Sequence, residues 1–289
     1  MTKTVTLEEF GGQPWLRLPV EGLDVRFFLR GAKLDKGLGK AAPSRAALSP
    51  VLGDFGDSLR LIAPRQVHGT KIFDIASVLD TSAASAMIDN VMNAEGDGVL
   101  FDAHEALELK VSKGLRVEAS LRFADCAPVV VAPSRQWIES GNSPWVLMMH
   151  SGYKGTVQNI VEAGLSKVRA RWGTAALDGA WAWVGPCIGG TNYPRDIEEW
   201  TQRGLEVFRE ANVNRCGGKQ EKQEKQEKIF FDIAGELRLQ LMDGGVAKEK
   251  ITLSGVDTCE RTDMCYSYRG GDEVSRMFLW CANPPSSNL

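Results

Sequence analysis

Histidine is scarce in this chain. The 289 residues hold three, His68, His104 and His150, so chemistry that needs many imidazoles is excluded. A surplus of positive charge is also absent. Lys and Arg number 34 against 37 Asp and Glu, a formal net charge of −3. That leaves no bulk basic field for nucleic acid or for an acidic membrane surface. No apolar run approaches the roughly 20 residues needed to span a bilayer. The opening stretch, MTKTVTLEEFGGQPWL, lacks the apolar segment of a secretory signal. The expected compartment is therefore the cytoplasm, and the six cysteines are expected as thiols or ligands rather than disulfides.

What is present is enough for a core. The apolar fraction is 43%, ordinary for a globular protein. VRFFLR (Val25 to Arg30) reads as a strand, and residues 31–57 as loop with one short helix. RQVHGTKIFDI (Arg65 to Ile75) reads as a turn and a strand, Asp80 to Ala94 as an irregular connection, and GDGVLF as a turn and a short strand. In LRVEASLRFADCAPVVVAPS, alternation from Leu115 to Arg122 predicts a half-buried strand, ending at Asp125-Cys126 before a second strand. WVLMMH (Trp145 to His150) is a buried strand that enters SGYKGT. A helix is expected from about Thr156, with Val157, Ile160, Val161, Leu165, Val168 and Trp172 on its apolar stripe. AWAWVGPCIGG reads as a strand and a Gly/Pro turn. Phe230 to Gly244 has a helical pattern with Asp232 as N-cap, and Arg276 to Cys281 is a last strand. GGKQEKQEKQEK (217–228) has no apolar residue and reads as a solvated, flexible loop. The interleaved but irregular order predicts one α+β domain over residues 1–289.

The chemistry-bearing residues collect at strand boundaries. His68, Cys126 and His150 each stand beside a small or turn-forming residue. One such residue is usually structural. Together they make a sufficient set for a catalytic zinc, with a fourth position open to water, whose pKa zinc lowers towards ~7. In HSGYKGT, glycines at a strand-to-helix turn let backbone N–H groups face an anion, and Lys154 adds a full charge. Asp125 either orients a ligand, acts as a base or caps a turn. Cys187, Cys259 and Cys265 read as packed thiols, and His104, among charged residues, as solvated. YSYRGGDE (Tyr266 to Glu273) suits a nucleoside or phosphate pocket, or a surface turn.

These pieces, in this order, resemble the YfiH-like family of laccase-domain, multicopper polyphenol oxidoreductase-type proteins. RQVHGTKI resembles its Q-V-H-G block and FADCAPVVV its T-A-D-C-x-P-V block. VLMMHSGYKGTVQNIV resembles its V-H-A-G-W-R-G-T block, WVGPCIGGTNY its I-G-P-C-I-G block, and CYSYRGGDEVSRMFLW its S-Y-R-R-D-G…G-R-M block. The similarity runs from about Arg65 to Trp280, and residues 1–60 diverge. The resemblance implies a layered αββα sandwich with mixed sheets. It implies one zinc per chain on His68, Cys126 and His150. It implies phosphorolysis of adenosine, inosine, guanosine or methylthioadenosine, and deamination of adenosine. The partners are then a purine nucleoside and phosphate. Catalytic candidates are Asp125 and Lys154; substrate-binding candidates are Gln66, Gly152, Gly155 and Arg269. Tyr153-Lys154 stand where the family has Trp-Arg, and Gly270 where it has a second Arg. Lysine does not reproduce the planar fork of arginine.

Other readings make different demands. A multicopper laccase needs on the order of ten imidazoles, more than this chain has. A single-copper oxidoreductase would use the same three ligands with Met148 or Met149. Peptidoglycan-precursor editing, by hydrolysis, follows from the family alone. A degenerate, non-catalytic binding protein would keep the fold without the turnover.

Overall fold

The computed structural model describes residues 4–34, 44–53, 59–75, 94–216 and 228–284. The QEK run and nearly all of the Asp80–Ala94 connection lie outside the described residues. The first sheet is built from β1 (Thr6–Phe10), β2 (Gln13–Leu18), β3 (Asp24–Phe28), β4 (Leu59–Ile62), β7 (Arg116–Phe123) and β15 (Met277–Ala282). Its strand order is β1-β2-β3-β15-β7-β4. The second uses β5 (Ile72–Asp74), β6 (Gly98–Asp102), β8 (Ala127–Ala132), β9 (Trp145–Ser151), β10 (Trp181–Val184) and β14 (Ile251–Leu253). Its order is β14-β10-β8-β9-β6-β5. Both sheets are mixed: β4–β7, β5–β6 and β10–β14 are parallel and their other pairs antiparallel. A small third sheet joins β11 (Pro194–Arg195), β12 (Val213–Cys216) and β13 (Lys228–Phe231).

The two large sheets stack face to face. Phe27 of β3 meets Phe123 and Trp183 edge-on, each at 5.7 Å between ring centres. Such aromatic pairs add to the hydrophobic gain of burying their area. Seven helices complete the described fold: α1 (Ser44–Leu52), α2 (Ala103–Lys113), α3 (Arg135–Glu139), α4 (Tyr153–Val157), α5 (Ile160–Trp172), α6 (Glu199–Val207) and α7 (Ile233–Asp243). Leu48 of α1 and Ala106 and Leu109 of α2 join the core shared by the first sheet. Val161, Leu165 and Val168 of α5 and Leu237 and Leu241 of α7 cover the outer face of the second. This is the expected layered α+β sandwich with mixed sheets. Asp232 caps α7 as read, accepting from the Gly235 N–H at 2.9 Å.

Two local expectations are corrected. β7 is not half-buried: Glu118 and Ser120, on the supposedly wet face, are buried. The Trp280 indole N–H donates to Glu118 Oε2 at 2.6 Å across the strand pair. The helix expected from Thr156 is two helices. The short α4 starts at Tyr153, and Asn159, at φ 57°, breaks the chain and caps α5 through the Glu162 N–H. The stretch around His104 is also helical, as α2, capped by Asp102 and ended by Gly114 at φ 65°.

Candidate metal centre

One edge of the second sheet gathers the chemistry. His150 lies near the end of β9 and pairs with Pro128, two residues after Cys126. Met149 pairs with Gly98 of β6, and Gly98 with Ile72 of β5, which His68 precedes by four residues. Four adjacent strand ends therefore deliver His68, Asp97, Cys126 and His150 to one place. The donor atoms of His68, Cys126 and His150 all lie within 4.8 Å of one another. Exposure is graded: His68 is exposed, Cys126 half-buried and His150 buried, so the centre opens on the His68 side.

The local backbone is unusual where the ligands sit. Among the described residues, non-glycine residues with positive φ are His68 (61°), Asp125 (77°) and Asn159. The first two belong to this centre. Such a conformation costs roughly 1–3 kcal/mol and persists only where neighbours enforce it. Asp97 enforces the first. Its buried carboxylate accepts the backbone N–H groups of Val67, His68 and Gly69 at 3.2, 2.9 and 2.8 Å. The second is held by the Asp125 side chain, which accepts from Thr258 Oγ1 at 2.7 Å and from the Arg269 N–H at 2.8 Å. Gly152 is required by close approach: a Cβ there would lie 2.7 Å from Cys126 Sγ and 2.9 Å from His68 Cδ2.

The electrostatics suit a ligand set. Burial pushes the Cys126 thiol up, but the His150 charge and hydrogen bonds from His150 and His68 outweigh it and bring it down to about 6. Burial pulls His150 down, and the Cys126 charge and the hydrogen bonds to Asp97 and Cys126 raise it to about 9. Burial pushes Asp97 up; the His150 hydrogen bond and charge and the Gly69 and His68 amides hold it below the usual carboxylate range.

The donor set fits a zinc ion. Zn–S of about 2.3 Å and Zn–N of about 2.0–2.1 Å put neighbouring donors of a tetrahedron about 3.4–3.6 Å apart, a small contraction from the observed spread. One thiolate and two imidazoles are also the donor types zinc takes.

The other anticipated residues take different places. Lys154 is exposed on α4, its Nζ 4.8 Å from the ring centre of Trp200. Gln66 spans the main chain of Arg122, donating to its carbonyl and accepting its N–H, each at 2.8 Å. Arg269 lies over Tyr193, with its guanidinium carbon 5.0 Å from the ring centre. Gly155 packs near the Gly69 and His150 carbonyls. Cys187 and Cys265 are buried, and burial raises the thiol of each. Sequence reasoning missed Asp97 and Thr258. The only signal for Asp97 was an aspartate between glycines ahead of an apolar strand.

A cavity of about 250 Å³ opens at the same sheet edge, beside Cys187, Ile188, Gly189, Asp232, Gly235 and Asp257. The Gly185 N–H on its wall bonds the Pro128 carbonyl at 2.9 Å, and Pro128 pairs with His150. The wall is therefore two strand spacings, ~10 Å, from the His150 backbone.

The family described as multi-copper polyphenol oxidoreductase laccase matches residues 45–281 of this sequence. The chain belongs to this family. A relative in Bacillus subtilis (strain 168), purine nucleoside phosphorylase YlmD, is 29% identical over 167 residues, covering 56% of this chain and 54% of the relative. The chain thus aligns with about half the length of that curated relative. Among solved structures, YlmD from Geobacillus stearothermophilus superposes with a TM-score of 0.66 at 19% identity, covering 98% of this chain and 100% of the other. YfiH of Bacillus licheniformis gives 0.65 at 17%, covering 96% and 99%. At these identities the likeness is one of fold. Among the described residues, no helix is long and apolar enough to cross a membrane.

Proposed function

We propose that the chain is a zinc-dependent purine nucleoside enzyme that cleaves nucleosides with phosphate and deaminates adenosine. The observation that carries this reading is the convergence of His68, Cys126 and His150 at a solvent-open sheet edge. Similarity to a relative named purine nucleoside phosphorylase supports the substrate class. The nearby cavity offers room for a base, with the Asp232 and Asp257 carboxylates on its wall.

A zinc ion held by His68, Cys126 and His150 would supply a Lewis acid with an open coordination position. The chain's own residues do the positioning. Asp97 takes the Nδ1 hydrogen of His150 and leaves Nε2 as the donor. Asp125, occupied by Thr258 and Arg269, holds the turn that presents Cys126 and serves position rather than proton transfer. Gly152 leaves space for sulfur and imidazole to meet. In phosphorolysis a phosphate oxygen attacks C1′ of the ribose. The C1′–N9 bond breaks, and the purine leaves with the bonding pair and takes up a proton from solvent. Lys154, exposed beside the centre, binds the phosphate. In deamination water replaces the C6 amino group and ammonia leaves, with no need for phosphate.

The single-copper reading places a methionine sulfur at the same ligands. Met149 belongs to the helix-side core, its sulfur facing Gly164 of α5. Met148 sits one pleat repeat before His150 on the strand, ~7 Å back. Neither position favours that reading.

The test is product analysis. Purified protein, its metal quantified, is incubated with adenosine or inosine, with and without phosphate. Free base and ribose 1-phosphate only with phosphate, and inosine from adenosine without it, are expected. Absence of both products with a fully loaded centre would overturn the proposal.

A further inference from the structure

We infer that Lys154 and Arg203, both held on the indole of Trp200, form with Arg269 a receptor for a phosphate group at the mouth of the His68–Cys126–His150 centre. The inference rests on the phosphorylase reading and adds to it a binding residue on α6, outside every motif of the sequence.

Many arginines of this chain meet carboxylates: Arg17 with Glu8, Arg26 with Asp24, Arg171 with Asp74. Single cations also rest on rings, as Lys33 on Phe10 and Lys71 on Phe73, but two on one indole do not recur among the described residues. Arg203 has Glu199 four residues before it on the same helix, the spacing of an ion pair. Its guanidinium instead lies over Trp200, 4.3 Å from the ring centre. Lys154 Nζ lies 4.8 Å from the same ring. Both side chains are exposed, and neither is in an ion pair with a described residue. Arg269 is likewise exposed and rests on Tyr193 without a carboxylate partner among the described residues. Arg195, on the Tyr153 and Tyr193 rings, has its charge offset by Glu198; in a chain of net charge −3, the three cations without a carboxylate partner create a local positive field that attracts an anion. An aromatic face orients a cation without neutralising it. It leaves the edge N–H groups of the guanidinium free for a fork of two oxygens.

The cluster is tied to the centre by short links. The Tyr153 hydroxyl donates to the Trp200 carbonyl at 2.8 Å, and Tyr153 directly follows Gly152, which packs on Cys126. The Gln158 amide donates to the carbonyls of both Lys154 and His68, each at 2.9 Å. The Arg269 N–H holds Asp125, beside Cys126. The Tyr153 and Tyr193 rings, 6.1 Å apart, join the two ends of the cluster. Lysine supplies a point charge and arginine a planar fork. Together they suit a phosphate dianion, either free as co-substrate or carried on a nucleoside.

Calorimetric titration of the metal-loaded protein with inorganic phosphate, and separately with adenosine 5′-monophosphate, tests this. Arg203→Ala and Lys154→Ala should each weaken binding of the responsive probe about tenfold, with Arg203→Lys recovering part of the loss. Lys113→Ala, on the exposed end of α2, should leave binding unchanged. Dependence on Arg203 for inorganic phosphate identifies the co-substrate, and dependence for the monophosphate alone identifies a phosphorylated substrate. Unchanged affinity of Arg203→Ala for both probes, or no binding of either by the parent, overturns the receptor. Because Arg203 is exposed, a folding failure is not expected, and a thermal melt of each variant checks it. Arg203-dependent binding without nucleoside cleavage would overturn the phosphorylase reading alone. Phosphate-dependent cleavage with an unchanged phosphate KM in Arg203→Ala would overturn the receptor alone.

Discussion

Asp97 Oδ1 lies 2.9 Å from His150 Nδ1, and the same buried carboxylate accepts three consecutive backbone N–H groups around His68. One side chain thus bonds the ring of one candidate ligand and fixes the backbone of another. Asp97→Asn keeps the shape but loses the charge and one acceptor oxygen. Metal affinity should fall roughly 10–100-fold, the usual cost of losing such an outer partner. Competition with a calibrated chelator measures it. Unaltered affinity would mean that Asp97 only closes the loop.

The pH dependence of the metal-free centre follows from its charged pair. Cys126 is lowered, so its contribution to stability is lost as pH falls through about 6. His150 is raised, so its contribution is lost as pH rises through about 9. The thiolate–imidazolium pair is intact between those values, and stability from it should decline on both sides. Thermal melts in chelator from pH 5 to 10 should show this hump in the parent and a flatter profile in Cys126→Ser. Metal binding near pH 7.5 should also release about one proton, from His150, measurable by calorimetry in buffers of different ionisation enthalpy.

The convergence of His68, Cys126 and His150 was legible because each sits at or just before a strand end, and strand ends are what period and turn residues mark. Asp97 was not, because its partners arrive through the pairing of β6 with β9, a long-range event no local pattern announces. β7 alternates as a half-buried strand should, yet Trp280 and its neighbours cover the polar face. The α4–α5 break was hidden because apolar spacing continues from Val157 through Ile160, while the cause is the left-handed Asn159. α2 was missed because few of its residues are buried, Ala103, Ala106 and Leu109, so its charged exterior dominates the pattern.

Gly152→Ala probes the crowding at the centre without touching a ligand. Its methyl would press on Cys126 Sγ and the His68 ring. Overpacking of this kind typically costs ~1–3 kcal/mol, and here the displaced atoms are donors. Metal content after dialysis should drop while the circular dichroism spectrum stays that of the parent. Full metal retention would show that the ligands can move apart and still bind.

Glu118 offers a test of the fold away from the centre. It is fully buried on β7. Burial raises its carboxyl above the usual range, although the Trp280 indole and Arg116 act in the opposite direction. A raised folded-state value means that its contribution to stability is present at low pH and is lost as pH rises through that value. Above the ordinary carboxylate range, burial of Glu118 therefore works against the folded chain. Glu118→Gln removes the charge and keeps an oxygen to accept the Trp280 N–H, now 2.6 Å from Glu118 Oε2. The variant should melt higher than the parent at pH 8, and the gap should close as pH falls towards 4, where the parent carboxyl is protonated. A variant less stable at pH 8 would mean that the Arg116 ion pair, at 2.5 Å, outweighs the desolvation of the carboxylate.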